Sequence, residues 1–156
     1  MDLGPDQTAL VQEFIPARGG HITRVEVLGG RFLYAIDVYN TGESFNLCPA
    51  DICQPGHEQI ALAGCVIEAP RRALRIEAAT PPAAAIADVE RITREAGIEV
   101  GGVEFIVDDR DGQRYYYDIN ALSNFVTDAL RIVGFDPYAR LVDYLESERR
   151  PAARYA

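Results

Sequence analysis

Two carboxylates and one carboxamide lie on adjacent segments of this chain, at a spacing that can bring them together. Glu104 lies in a β-branched, apolar run, and Asp118 and Asn120 end the next such run. A turn over 109–113 would join the runs into a hairpin with Glu104 opposite Asp118. Carboxylate and amide oxygens suit Mg²⁺, which seldom takes a full protein cage and often keeps phosphate ligands. The pattern therefore predicts a magnesium site that could hold a nucleoside triphosphate.

Strand alternation predicts which side chains share a face of this hairpin. The expected core face carries Val103, Phe105, Val107, Tyr115, Tyr117 and Ile119, with Phe105 opposite Tyr117. The expected oxygen-bearing face carries Glu104, Ile106, Tyr116, Asp118 and Asn120. The alternative is that these carboxylates form a solvated outer face that binds nothing, as is usual in antiparallel sheets.

Composition narrows the class of protein. The 156 residues predict a single domain over 1–156, and the net charge of −9 argues against non-specific nucleic-acid binding. No run has transmembrane length and the start is acidic, so we expect no membrane partner and a cytoplasmic location. All 15 basic residues are arginine. This chain therefore offers no lysine for a Schiff base, a nucleophile or a phosphate-binding loop.

Three cysteines and one histidine could form a second metal site. Cys48, Cys53, His57 and Cys65 could form a zinc knuckle, but their spacing fits no common template. Free thiols, which are common in cytosolic proteins, are the favoured reading.

The remaining pattern predicts an α+β fold, an antiparallel sheet with helices packed on one side. Strands are expected over 9–15, 23–28, 31–39, 101–107 and 114–119, with 44–79 mostly loop and short strand pieces. A helix is expected from Thr80, as N-cap, to Gly97, and two C-terminal helices over 124–149. The first of these would be capped by Ser123 or Asn124, and the second would open at Asp136 with Leu141, Val142 and Leu145 facing inward.

The order of the motifs resembles the C-terminal half of an ATP-grasp domain. The segments that carry the resemblance are 10–15, 22–30, 45–47, 102–105 and 118–120, within a likeness from about residue 9 to about residue 145. The branch that it resembles most is that of the ribosomal-protein glutamate ligases, which also resembles glutathione synthetase.

The resemblance implies a role for each matching residue. The stretch Gln12, Glu13, Phe14 and Ile15 would be the hinge strand at the adenine of ATP, and Asn46 would lie beside the triphosphate. Arg24 would be the catalytic arginine at the phosphates or the acyl-phosphate. Glu104, Asp118 and Asn120 would hold Mg²⁺ or Mn²⁺, with glutamate and aspartate exchanged relative to the usual order.

Three positions depart from the family pattern. His21 and Ile22 occupy the place of an expected ribose-binding acid, Ser44 lies near the place of an arginine, and Asp37 stands where a basic residue is common. The lobe that precedes the hinge strand, with its phosphate-binding lysines, is also missing. The chain is thus expected to be a truncation, an expressed piece or a split subunit.

The implied activity is that of a carboxylate–amine (or thiol) ligase that works through an acyl-phosphate. Its partners would be a nucleotide and small-molecule or peptide carboxylate and amine substrates, and this isolated chain is not expected to be active. The alternative is a non-catalytic binding or assembly module derived from such a lobe. An exposed interlobe surface would favour a homodimer in either case.

Overall fold

The computed structural model describes residues 11–39, 75–121 and 123–149, and these form one five-stranded antiparallel sheet. The strands are β1 (His21–Leu28), β2 (Arg31–Tyr39), β3 (Arg75–Ala78), β4 (Val100–Val107) and β5 (Arg114–Asn120). Their order in the sheet is β3-β2-β1-β4-β5. The helices are α1 (Ala83–Glu95), α2 (Ala129–Ile132) and α3 (Pro137–Ser147). The predicted α+β class with an antiparallel sheet is confirmed.

One face of the sheet packs against α1. Alternate residues of β1, β2 and β4 meet the buried stripe of this helix: Val25, Val27, Ala35, Val103 and Phe105 from the strands, with Ala85 and Val89 from α1. The apolar surface removed from water there is the main stabilising term for this half of the domain.

The opposite face is covered along β2 by the segment that follows β5. Tyr34 and Ile36 pack with Phe125, Val126 and Ala129, and Leu141 of α3 lies against this cluster. Helices therefore lie on both faces, whereas one covered side was expected, because β2 carries apolar side chains on both of its faces.

The hairpin of β4 and β5 has the predicted pairing of Glu104 with Asp118, but its register shifts directly after Glu104. Phe105 pairs with Tyr116 rather than with the predicted Tyr117. Tyr117 is thus an extra residue, a β-bulge in β5.

Because of the bulge, three tyrosines lie on the opposite face of the sheet from the one predicted. Tyr116 packs on the α1 side against Phe105, with ring centroids 5.6 Å apart. Tyr115 lies opposite Ile106, and Tyr117 turns to the side of Glu104; both tyrosines are exposed. Ile119 shares a face with Val103 as predicted but is also exposed, because β5 is at the edge of the sheet.

Several local predictions were wrong. Residues 11–15, the described part of the predicted strand 9–15, have no regular structure. An isolated bridge from Ala17 to Asp108 and a 3₁₀ turn over Arg18–Gly20 follow them. Within the part of the chain that the structure describes, residues 11–15 join no strand ladder.

Two predicted caps and one buried stripe were also wrong. The N-cap of α1 is Pro82 rather than Thr80, and that of α2 is Asp128 rather than Ser123 or Asn124. In α3 the predicted cap Asp136 is confirmed, since its carboxylate accepts the Tyr138 N–H. Its side chains Val142 and Leu145 are more than half exposed, so only Leu141 of the predicted inward set packs on the core.

Candidate functional site

A line of polar side chains crosses three strands on the face opposite α1. Arg24 of β1 pairs with Glu104 of β4, and Glu104 pairs with Asp118 of β5. One step along, Glu26 pairs with Gly102 and Gly102 with Asn120. Directly paired residues share a face, so these side chains lie side by side. We call Arg24, Glu26, Glu104, Asp118 and Asn120 the polar row.

Arg24 lies between two carboxylates of the polar row. Its Nε donates to Glu26 Oε1 at 2.6 Å and its Nη1 donates to Glu104 Oε1 at 3.2 Å. The side chains of Arg24, Glu26 and Glu104 are only 9%, 1% and 14% exposed. Buried charges of this kind persist only where each has partners, so the three residues form one unit.

Both pKa values of this buried pair are raised, which favours the charged form of Arg24 but the neutral form of Glu26. Burial acts to lower the pKa of Arg24, but the charges of Glu26 and Glu104 outweigh it and raise the pKa. Burial raises the pKa of Glu26, against the charge of Arg24 and the hydrogen bond from Ser123. The difference follows from the count of partners, because Arg24 faces two carboxylates and the more deeply buried Glu26 faces one arginine.

A second donor holds the other oxygen of Glu104. The bulged Tyr117 donates its hydroxyl to Glu104 Oε2 at 3.0 Å. Burial, followed by the charge of Glu104, raises the pKa of Tyr117, so the phenol stays a donor at neutral pH. In β5 the Asn120 amide donates to Asp118 Oδ2 at 2.9 Å, which brings the other two predicted ligands into contact.

The segment after β5 closes the inner end of the polar row. Ser123 donates its hydroxyl to Glu26 Oε2. The Tyr34 hydroxyl accepts the Val126 N–H at 3.0 Å, and burial together with the charge of Glu26 raises the pKa of this phenol. Glu26 therefore has a partner on each oxygen, Arg24 on one and Ser123 on the other.

Gly102 makes room for this arrangement. A Cβ at position 102 would lie 3.0 Å from Arg24 Nε, from Arg24 Nη2 and from Glu26 Oε1. Contacts this close require the neighbouring atoms to move, and these atoms are held by ion pairs. Glycine at this position thus lets the guanidinium lie flat over the centre of β4.

The predicted adenine-binding stretch lies away from the polar row. Gln12, Glu13 and Phe14 are exposed and Ile15 is half-buried. Glu13 accepts from Arg110 at 2.9 Å, in the turn that follows β4. This turn begins four residues after Glu104, or about 13 Å along the strand. Asn46, the other predicted ATP contact, lies outside the described residues.

Several residues of the site were not predicted. Glu26 follows Arg24 by two residues in an alternating strand, so its place on the same face could have been derived from the sequence. Tyr117 could not, because the predicted register pairs it with Phe105 on the core face, whereas Tyr116 takes that place in the structure. Ser123 carried no sequence signal beyond a possible cap.

The donor set of the polar row fits a hard divalent cation. Two carboxylates lie directly opposite each other and a carboxamide is adjacent, and each carboxylate oxygen has lone pairs beyond the hydrogen bond it accepts. Within residues 11–39, 75–121 and 123–149 there is no group of three or more His, Cys, Asp or Glu placed to hold a metal. The predicted set has only two carboxylates, so phosphate or water would have to complete it. The four residues of the possible zinc knuckle lie outside the described residues.

Solved structures with a similar fold include an ATP-grasp ligase and a macrocyclase. The ATP-grasp ligase PsnB, in a complex with a minimal precursor, superposes with a TM-score of 0.60 at 18% identity, over 88% of this chain and 36% of PsnB. A PsnB complex with a phosphomimetic precursor variant, Mg and ADP gives 0.59 at 18% identity, over 87% of this chain and 34% of that one. The macrocyclase MdnC from Microcystis aeruginosa MRC, bound to its precursor peptide MdnA, gives 0.51 at 14% identity, over 85% and 34%.

These likenesses define the fold. The chain has an ATP-grasp-like fold and spans about a third of the length of the structures that it matches. No family model and no curated protein sequence matches it. The finer prediction of a ribosomal-protein glutamate ligase branch stays a prediction. No helix among the described residues has the length and apolar character needed to span a membrane.

Proposed function

We propose that this chain is the lobe of an ATP-dependent carboxylate–amine (or thiol) ligase that binds Mg²⁺ and the triphosphate. The observation that carries the proposal is the direct pairing of Glu104 with Asp118, with Asn120 in contact with Asp118, on one face of an ATP-grasp-like sheet. Glu104, Asp118 and Asn120 would hold Mg²⁺ or Mn²⁺. The Asn120 amide would turn to present its oxygen, since its nitrogen now donates to Asp118.

The proposed reaction has two steps. A substrate carboxylate oxygen attacks the γ-phosphorus of ATP and ADP leaves, and an amine (or thiol) then attacks the acyl-phosphate carbonyl and displaces phosphate. Bound Mg²⁺ would neutralise charge on the β- and γ-phosphate oxygens. The complexes of PsnB and MdnC with precursor peptides support a peptide as one of the substrates.

The residues of the polar row contribute position and charge. Glu104 and Asp118 provide negative charge on a face that is covered at its inner end, where interactions between charges are stronger than in water. Arg24 offsets part of this charge and keeps the two glutamates from repelling each other. The predicted contacts of Gln12, Glu13, Phe14 and Ile15 with adenine, and of Asn46 with the triphosphate, remain part of the proposal.

The test is binding of ATP with Mg²⁺ to the chain by isothermal calorimetry, with Asp118→Asn as the variant. Asp118 is exposed and lies on an edge strand, so the variant should keep its melting temperature within a few degrees. We expect it to lose the binding heat that depends on Mg²⁺. Asp111→Asn in the turn of the same hairpin is the matched control and should bind like the wild type. Equal binding by Asp118→Asn and the wild type would disprove the assignment.

One observation favours a second candidate, a non-catalytic module of the same fold. Arg24, the predicted phosphate contact, is buried and already paired with Glu26 and Glu104, which leaves little of its guanidinium for a ligand. The absence of lysine points the same way for this chain. A chain that binds neither ATP nor Mn²⁺ in these titrations, yet self-associates in sedimentation experiments, would support the module.

A further inference from the structure

We infer that Arg24 and Tyr117 are positioning residues that fix the carboxylate of Glu104 for a divalent cation. This inference rests on the proposed function of the polar row as a cation site. The sequence predicted that Arg24 contacts phosphate, whereas here Arg24 orients Glu104. Tyr117 also receives a role, for which the sequence predicted none.

The first argument is that the two oxygens of Glu104 are held by different strands. Oε1 accepts from Arg24 on β1 and Oε2 accepts from Tyr117 on β5. Two hydrogen bonds from opposite sides fix the rotation of a carboxylate about its last bond, and each oxygen keeps a lone pair for a metal. Hydrogen bonds of this kind to metal ligands typically set affinity through orientation.

The second argument is that Arg24 is itself immobilised. Its Nε is bound by Glu26 at 2.6 Å, and Glu26 is held from behind by Ser123. The absence of a Cβ at Gly102 lets the guanidinium lie against β4. These contacts run in series from Ser123 through Glu26 and Arg24 to Glu104. They therefore couple the proposed metal ligand to the rigid buried interior.

The third argument concerns the bulge. Tyr117 is the extra residue of β5. Without the bulge, the register that pairs Phe105 with Tyr116 would put Tyr117 opposite Glu104 and would turn Asp118 to the α1 side. Bulges redirect side chains and are common beside functional sites. Here the bulge brings a phenol donor to the carboxylate while Asp118 stays paired with Glu104.

The experiment measures Mn²⁺ binding to the ¹⁵N-labelled full chain through broadening of amide NMR signals in β4 and β5. Tyr117→Phe removes one hydroxyl without changing charge, and the side chain is 48% exposed, so the fold should tolerate it. We expect Mn²⁺ affinity to fall about tenfold, at an unchanged melting temperature. Tyr115→Phe, in the same strand and away from Glu104, is the matched control and should bind like the wild type.

A second variant tests the hydrogen bond from Arg24 to Glu104. Arg24→Lys keeps the positive charge but replaces the two-sided fork with a single ammonium group that cannot hold both glutamates in the same way. We expect Mn²⁺ affinity to fall for this variant as well.

The outcomes separate the two proposals. If the wild type shows no Mn²⁺ broadening near Glu104, the cation site fails and this inference fails with it. If the wild type binds and Tyr117→Phe binds equally well, the cation site stands and the positioning role is overturned. Weaker binding by Tyr117→Phe, with the wild-type affinity kept by Tyr115→Phe, supports the positioning role.

Discussion

Two arginines in this chain each bind two carboxylates, one inside the molecule and one at its surface. Arg24 holds Glu26 and Glu104 with its side chain 9% exposed. Arg110 holds Asp108 and Glu13 in the turn after β4, with its side chain 54% exposed. Arg24 binds two glutamates, whereas Arg110 binds the exposed Glu13 and the buried Asp108, so the clusters differ chiefly in the exposure of the arginine itself.

Burial changes what the same contacts do. In the turn, the hydrogen bond from Arg110 lowers the pKa of Asp108, and the cluster fastens the segment before β1 to the hairpin. In the polar row, burial raises the pKa of Glu26, so the charged pair is maintained at a cost in stability. The comparison indicates that the surface cluster joins two segments of the fold, whereas desolvation offsets much of the stability that the buried ion pairs contribute.

The largest expected effect is the loss of stability when Arg24 is removed, compared with the loss when Arg110 is removed. Arg24→Ala leaves Glu26 buried without its cation, which should lower the free energy of unfolding by about 3–5 kcal/mol. Urea denaturation followed by circular dichroism measures the change. A loss no larger than that of Arg110→Ala would show that burial does not distinguish the clusters.

A smaller loss is expected from filling the space beside Arg24. Gly102→Ala places a Cβ 3.0 Å from Arg24 Nε and Glu26 Oε1, and should lower the free energy of unfolding by about 1–3 kcal/mol. An unchanged denaturation midpoint for Gly102→Ala would mean that the ion pair is loosely held.

The stability that each cluster contributes should also change with pH, in opposite directions for the two clusters. The folded pKa of Glu26 lies above its ordinary value of 4.5, so its contribution to stability is present below that pH and is lost as the pH rises through the folded pKa. We expect Glu26→Gln to flatten the fall of unfolding free energy above about pH 5, since glutamine does not titrate. Denaturation curves at several pH values would show it, and an identical slope for both proteins would contradict it.

The smallest effect belongs to the surface cluster. Arg110→Ala should lower stability only modestly. The Arg110 and Glu13 side chains are exposed, so water and salt screen their charges, and the buried Asp108 keeps the hydrogen bond from the backbone N–H of residue 110. The lowered pKa of Asp108 means that its contribution is present above its ordinary pKa of 3.8 and is lost as the pH falls through the folded value. The difference between Arg110→Ala and the wild type should therefore shrink below about pH 4 and in 1 M salt. A difference that persists in both conditions would place this cluster with the buried one.

The sequence predicted those parts of the fold that depend on local pattern. Turn residues around Gly112 predicted the hairpin, but the predicted pairing of Glu104 with Asp118 holds only because the bulge at Tyr117 shifts the register back by one residue. The strand expected over 9–15 is not found in its described part, because a strand needs a ladder and residues 11–15 join none among the residues that the structure describes. The helix cap at Thr80 failed because a proline pair moved the start of α1 beyond Pro82.

The site was predictable only in part for a similar reason. The shared face of the predicted metal ligands follows from spacing, but the burial of Arg24 depends on which elements cover the sheet. Ser123 reaches Glu26 across a long sequence separation, and no local pattern encodes that contact. The bulge at Tyr117 is likewise a property of the paired strands rather than of either one.

The extra residue in β5 bears on how hairpins of this type differ in length between proteins. Removing Tyr117 would leave Tyr116 opposite Phe105 and Asp118 opposite Glu104, so both neighbours would keep their surroundings. A single-codon insertion at this point can therefore add a phenol above the carboxylate without repacking either layer. Among natural hairpins of this type, we expect length differences inside the strand to concentrate at this position.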